Sequence, residues 1–260
     1  MIAAAEINSD AQKGRKSDRK RRRKNDTIIE VGPGLGTLTK ELVKTGVKII
    51  AIEKDPLMIE ILKETLTNSE NIKIIQADAR RLLIPRINNN REYKIVANLP
   101  YSAATFLIRQ WLESKNPPKL MVLMIQKEVA RRIVAKPPHM NLLAVRTQFY
   151  ATAKIVDYVS KRQFWPKPKV DAAIIKIVPT RLPAPDSIAD GGQEKNFFRI
   201  IKAGFSQPRK QLVNNFAKKL NISREKIISI LKDLDISEKA RAENLNLEQW
   251  QHLAYKLIHN

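Results

Sequence analysis

The sequence contains no cysteine, which excludes disulfides, thiolate metal sites and a cysteine nucleophile. Its three histidines, His139, His252 and His259, are scattered and offer no ligand spacing, so no metal is expected. Long apolar runs are missing too. The longest, Leu120 to Ile125, falls far short of the roughly 20 residues a membrane-spanning helix needs, and no membrane helix is expected. A secretory leader would place positive charge before an apolar stretch, whereas Met1 to Ala5 precede the charge and Glu6 interrupts them; a cytoplasmic location is expected. Acidic residues are in short supply, 26 against 48 basic ones for a net charge of +22. That excess points to a polyanion, nucleic acid or an anionic surface. Part of it lies in the run Lys13 to Lys24 (KGRKSDRKRRRK), yet about +14 remains without that run, so the body of the protein is basic as well. The run itself is too polar to fold alone and reads as solvated chain.

What is present is enough for a folded protein: 260 residues, 43% of them hydrophobic, accommodate one full α/β domain and a smaller appendage. From Thr27 onward short β-branched runs alternate with helical segments, the pattern of a parallel sheet built from βαβ units. Strands are predicted at 27–31, 47–52, 72–76, 94–97, 120–125, 155–159 and 172–178, and helices at 37–44, 56–66, 103–112, 127–134 and 142–150. The expected fold is α/β, Rossmann-like, with a seven-stranded, mainly parallel sheet. Leu182 to Gln193 (LPAPDSIADGGQ) has linker composition. Beyond it only helices are predicted, at 196–205, 209–220, 224–231 and 247–258, with Ser223 and Asn246 as N-caps. The expected division is a basic, disordered segment 1–26, a catalytic domain 27–181, a linker 182–193 and a small all-helical domain 194–260.

Directly after the first predicted strand comes Glu30-Val31-Gly32-Pro33-Gly34-Leu35-Gly36. Glycines at a strand-to-helix turn let the backbone pass close to a ligand, and the helix start offers unpaired N–H donors. Alone, such a turn can be purely structural. The G-x-G-x-G spacing differs from that of dinucleotide folds, and no lysine completes a phosphate loop, so a ligand without a pyrophosphate is favoured. Glu30, Gly32, Gly34 and Gly36 are the first candidate cofactor residues. Glu53 ends the second strand, where a carboxylate can accept from two ribose hydroxyls. Asp78 follows the third strand, where it can accept from an adenine amino group while the N–H of Ala79 donates to the ring. Either acid alone could be a strand-end cap. Three such features at the carboxyl ends of successive strands indicate a binding edge.

The fourth strand runs into Asn98-Leu99-Pro100-Tyr101. An adenine amino nitrogen is a poor nucleophile because its lone pair is delocalised into the ring. The Asn98 side-chain oxygen and a backbone carbonyl, that of Leu99, can accept its two N–H bonds and aim the lone pair at a methyl donor. Tyr101 can stack on an extruded base. An asparagine turn beside a core tyrosine would read the same way in isolation. Lys127, Arg131 and Arg132 on one predicted helix, with Arg209 and Lys210 further on, are candidate phosphate contacts or ordinary solvated charge.

With IIEVGPGLGTLT, AIEKD, QADA, VANLPY, MIQKEVARRI, FWPKPKVDAAI and FSQPRKQLVNNF in place, the chain resembles the ribosomal RNA adenine dimethyltransferases from Thr27 to its end. It is most similar to the small-subunit branch, which dimethylates adjacent adenosines near the 3′ end of that RNA. The resemblance implies S-adenosylmethionine as methyl donor, ribosomal RNA in a small-subunit precursor as partner, and a monomer. It also implies that Asn98, Leu99, Pro100 and Tyr101 form the catalytic motif, that Phe164 stacks on the other side of the target adenine, and that Lys54 and Asn98 join Glu53 at the cofactor. Leucine at the second motif position favours the small-subunit branch over the large-subunit adenine methylases. A non-catalytic assembly factor on the same fold is the alternative of a different class, and the glycine spacing disfavours a nucleotide-dependent oxidoreductase.

The sequence departs from the family in two places. Members open with a Leu-Gly-Gln-Asn-Phe-Leu-like lid motif, whereas this sequence starts at Ile2-Ala3-Ala4-Ala5-Glu6-Ile7, resembling the end of the helix before the first strand, and then carries the basic run. The family's Arg-rich motif reads Ser206-Gln207-Pro208-Arg209 here.

Overall fold

β-branched runs become strands where breakers bound them, and the computed structural model shows seven in the order expected. It describes residues 1–7, 27–67, 69–82, 84–88, 91–180 and 191–259, with only the backbone of 85, 86 and 191–193. The strands are β1 (Thr27–Val31), β2 (Lys48–Glu53), β3 (Ile72–Gln76), β4 (Lys94–Asn98), β5 (Leu120–Gln126), β6 (Ala151–Val159) and β7 (Ala172–Pro179). They form one sheet in the order β3-β2-β1-β4-β5-β7-β6. Pairing is parallel from β3 through β5, and β7 runs antiparallel to β5. Every residue of β1 is buried, as a central strand covered on both faces requires. The α/β, mainly parallel fold is therefore present.

Helices are α1 (Thr37–Val43), α2 (Pro56–Thr65), the short α3 (Ile84–Ile87), α4 (Ala104–Leu112), α5 (Lys127–Ile133), α6 (Leu142–Tyr150), α7 (Gly191–Gly204), α8 (Leu212–Leu220), α9 (Arg224–Asp233) and α10 (Leu247–His259). Asp55 caps α2 by accepting from Leu57 N at 3.0 Å, with Pro56 in the first turn. Ser223 caps α9, and Asn246 and Gln249 exchange bonds of 3.0 and 2.8 Å at the start of α10.

The chain separates into two compact units, Met1–Ala130 with Thr152–Pro179, and Arg131–Ala151 with Thr180–Asn260. The segment Arg131–Ala151 thus groups with the C-terminal helices and not with the sheet, as the sequence division had placed it. Aromatic packing is the reason: Phe149 of α6 stacks on Phe197 of α7 with ring centroids 4.8 Å apart, and Met140, Ala144 and Val145 join the same core as Phe216 and Trp250. Tyr150 also donates to Glu194 at 2.5 Å.

Three further expectations change. Met1–Ile7 does not go with the basic run: Ala5 and Ile7 are buried against β1, β4 and β5 in the sheet core, and Glu6 pairs with Lys176 of β7. Its chain makes a 3-10 turn at Ala3–Ala5. Helix α8 begins at Leu212 rather than Arg209, because Gln211 bridges to Arg241 and Leu212 N donates to Ala240 O at 2.9 Å. Gly191 to Gln193 belong to α7 and not to the linker. The remainder of the linker expectation, 182–190, and the Lys13–Lys24 run lie outside the described residues.

Candidate active site

In an open α/β sheet, ligands bind at the carboxyl ends of the strands where the strand order reverses. Here the reversal falls between β1 and β4, flanked by β2 and β5. The register places the ends of these strands on one edge: Val31 pairs with Ile52, Glu53 with Gln76 and Asn98 with Met124.

The glycine loop leaves β1 by extending its ladder, with Gly32 N donating to Ile52 O at 2.9 Å. Gly32, Gly34 and Gly36 all have positive φ, from +54° to +77°, which side chains rarely adopt. A Cβ on Gly34 would meet nothing within 4 Å, so the loop presents open backbone there. A Cβ on Gly32 would come within 3.9 Å of the Asn98 carbonyl and the Pro100 ring, which brings the glycine loop against the Asn98-Leu99-Pro100-Tyr101 motif. A Cβ on Gly36 would lie 2.7 Å from a methyl of buried Leu62, closing the loop onto α2. Gly36→Ala is therefore expected to destabilise the fold by about 1–3 kcal/mol. Gly34→Ala, strained in φ but unobstructed, should cost visibly less. Equal losses for the two variants in denaturant titrations would show that the Leu62 contact is immaterial.

Glu53 is the hub of this loop. Its Oε1 accepts from Lys54 N at 2.7 Å and Asp55 N at 3.0 Å, and its Oε2 accepts from Gly34 N at 3.2 Å. A carboxylate has about four lone-pair sites, so acceptor capacity remains on Oε2. Glu30, one strand away, is 1% exposed and its Oε2 has no hydrogen-bond partner among the described residues. Burial pushes its carboxyl up to about 7, opposed by the neighbouring Thr39 hydroxyl. Lys54 is exposed, and Ala79 is buried.

Asp78 is held by Arg80, a partner the sequence reading overlooked. The guanidinium Nη2 donates to Asp78 Oδ2 at 2.5 Å, Nε lies 3.0 and 3.1 Å from the two oxygens, and Arg80 N donates to Oδ1 at 2.9 Å. These bonds hold the Asp78 carboxyl well below the usual carboxylate range. A cation two residues past a strand-end aspartate was the available signal.

Asn98 closes β4 and is exposed. Leu99 anchors the turn: its side chain is buried and its N–H donates to Met124 O at 3.0 Å. The Pro100 carbonyl accepts from Ala103 N and Ala104 N at 3.0 and 3.2 Å, which starts α4. Tyr101 is half-buried. Phe164, also half-buried, lies between β6 and β7 in a loop whose end meets the same edge, because Ala172 of β7 pairs with Gln126 of β5. Asp171 ties that loop down, accepting from Lys161 N at 3.2 Å and pairing with Lys127 Nζ at 3.4 Å, while Asp171 O accepts from Lys127 N at 3.0 Å. Lys127 also sits 5.5 Å above the Tyr158 ring, so it is built into the structure as a brace. Arg131, Arg132, Arg209 and Lys210 are exposed.

The model for ribosomal RNA adenine dimethylases matches residues 6–259, nearly the whole chain. The chain belongs to this family. It is 42% identical over 236 residues to ribosomal RNA small subunit methyltransferase A of Dehalococcoides mccartyi strain BAV1, covering 90% of this chain and 80% of that protein. It is 38% identical over 240 residues to the protein of the same name from Bacillus licheniformis, covering 88% and 81%. Among solved structures, the 23S rRNA methyltransferase ErmE superposes with a TM-score of 0.74 at 23% identity, over 99% of this chain and 97% of that one. A dimethyladenosine transferase from Plasmodium falciparum gives 0.72 at 24% identity, over 89% and 90%. These two likenesses establish the shared fold. Family members are methyltransferases, which places this chain among RNA-modifying enzymes. No helix among the described residues is long and apolar enough to cross a membrane.

Proposed function

We propose that the protein transfers methyl groups from S-adenosylmethionine to the exocyclic amino groups of two adjacent adenosines near the 3′ end of small-subunit ribosomal RNA, acting as a cytoplasmic monomer on a precursor of the small subunit. The observation that carries this reading is the Asn98-Leu99-Pro100-Tyr101 turn set directly against the glycine loop at the sheet's reversal point.

The residues fit the donor. Glu30 is a buried carboxyl whose Oε2 has no hydrogen-bond partner among the described residues, suited to the cationic amino-acid end of the molecule. Gly34 offers open backbone and Glu53 keeps acceptor capacity for a ribose hydroxyl; Lys54, Asp78 and Ala79, at the ends of β2 and β3, would take the adenine side. S-adenosylmethionine supplies a methyl carbon made electrophilic by its sulfonium, which departs with the carbon–sulfur electron pair as the nitrogen–methyl bond forms.

Asn98 Oδ1 and the Leu99 carbonyl accept the two amino hydrogens of the target adenine and so hold its lone pair in one direction. The Pro100 carbonyl is unsuited to this task, being already taken by the start of α4. Tyr101 and Phe164 would hold the base between their rings. The amino proton leaves to water at exposed Asn98. Arg131, Arg132, Arg209 and Lys210 would meet RNA phosphates, with Lys127 acting mainly as a brace.

Incubation with immature small ribosomal subunits and labelled S-adenosylmethionine, followed by mapping of the modified bases, tests the proposal. Label on two adjacent adenosines near the 3′ end is expected. No label would favour a non-catalytic assembly factor, and label confined to large-subunit RNA would reassign the substrate.

Removal of the hub should be felt at the cofactor. Glu53→Ala is expected to weaken S-adenosylmethionine binding by about 1.5–3 kcal/mol, the scale of hydrogen bonds to a charged group. Glu53→Gln, which keeps one acceptor oxygen, should lose less, and RNA affinity should change little in either. Unchanged calorimetric affinity in Glu53→Ala would remove Glu53 from the cofactor site.

A further inference from the structure

The loop that carries Phe164 also carries Trp165, which is 97% exposed, whereas Trp111 and Trp250 are buried. An indole left wholly in water forgoes the stabilisation that burial would bring, so its place on the surface is not explained by packing. Phe164 has extended backbone, φ −114° and ψ 146°. Trp165 follows Phe164 in the bend before Pro166 and is open to solvent. Its surroundings are cationic. Arg162, Lys167 and Lys169 are all exposed, and the loop's one carboxylate, Asp171, is committed to Lys127 and Lys161 N. An exposed aromatic face among exposed cations is the composition of a single-stranded nucleic-acid platform, where bases stack on the ring and phosphates meet the charges. The loop ends on the sheet edge that carries Asn98, through the pairing of Ala172 with Gln126 and of Asn98 with Met124.

We propose that Trp165 is a stacking platform for an unpaired base flanking the target adenosine, with Arg162, Lys167 and Lys169 meeting the adjoining phosphates. The inference rests on the RNA-methylation reading: with two adjacent target adenosines, whichever one is presented to Asn98 leaves an unpaired neighbour beside it. Trp165 holds that neighbour and so sets the register of the strand.

The test uses intrinsic fluorescence, in which Trp165 is the exposed emitter, together with anisotropy of a labelled single-stranded RNA oligonucleotide containing two adjacent adenosines. Saturating RNA should quench the parent's exposed emission, and Trp165→Phe should remove that response. Loss of one stacked base is expected to weaken RNA binding roughly five- to a hundred-fold in Trp165→Ala. Trp165→Phe should recover most of the affinity, and the salt dependence should stay unchanged in both because the phosphate contacts remain. Cofactor affinity in Trp165→Ala should match the parent and report an intact fold. The proposal is overturned by a parent whose emission ignores saturating single-stranded RNA, by equal affinity in Trp165→Ala, or by quenching with the duplex form alone. Failure of the parent to methylate any ribosomal particle would sink the enzymatic reading by a separate measurement, leaving the binding result to stand on its own.

Discussion

Replacing Asn98 with alanine is expected to slow single-turnover methylation by about 10²–10³, with S-adenosylmethionine affinity nearly unchanged. The bonds Asn98 accepts strengthen as the amino nitrogen becomes pyramidal, so the loss belongs to the transition state more than to binding. The structure also indicates that the variant will fold. Asn98 is exposed at the end of β4, and the turn is held by buried Leu99, by its N–H to Met124 O and by the Pro100 carbonyl at the start of α4. None of those contacts uses the Asn98 side chain. A variant that methylates at nearly the parental rate with saturating cofactor and RNA would reduce Asn98 to a turn residue.

Glu30→Gln should produce a pH-dependent gain in stability at the expense of cofactor binding. The folded-state value of about 7 lies above the ordinary 4.5 because burial disfavours the charged form. A raised value stabilises the fold fully below the unfolded value, and this contribution fades as pH rises through about 7. The shift corresponds to about 3 kcal/mol once the group is ionised. In the absence of ligand, Glu30→Gln should therefore exceed the parent by about 2–3 kcal/mol near pH 8 and match it below the unfolded value of 4.5. S-adenosylmethionine, by supplying a cation, should favour the ionised parent and bind the variant poorly. Denaturant titrations across that range decide the matter: a difference independent of pH would mean that Glu30 ionises without penalty.

These two residues show how unevenly the site could be read from the chain. Asn98 stood out because an uncommon tetrapeptide follows a β-branched run, and a strand end is where such chemistry belongs. Glu30 was visible only as a neighbour of the glycine loop, since its unpaired oxygen depends on what α1 and the central strands bury around it. Arg80 was overlooked because an arginine two residues beyond an aspartate is ordinary in sequence and becomes a bidentate clamp only in one backbone conformation. Lys127, a candidate phosphate contact in sequence, gains a structural partner that sequence could not show: Asp171, 44 residues away, pairs with it.

The amino-acid sequence by itself determined the succession of strands and of every helix except the short α3 (Ile84–Ile87), the resemblance to the family, and the cluster of cofactor and catalytic candidates at strand ends. Each rests on local information: the period of apolar residues, breakers between runs, and motifs whose chemistry is carried within a few neighbouring residues. Tertiary structure decided matters that depend on distant partners. The segment Arg131–Ala151 joined the helical unit because its aromatic and aliphatic faces find Phe197 and Phe198 there, and local composition cannot say which of two cores a helix will cover. Helix α8 started three residues later than its pattern suggested because Gln211 and Leu212 spend their backbone groups on Ala240 and Arg241. Ala5 and Ile7 became core because the sheet has an apolar surface to receive them. In each case the competing local options differ by little, and burial of apolar area against a remote part of the chain tips the balance.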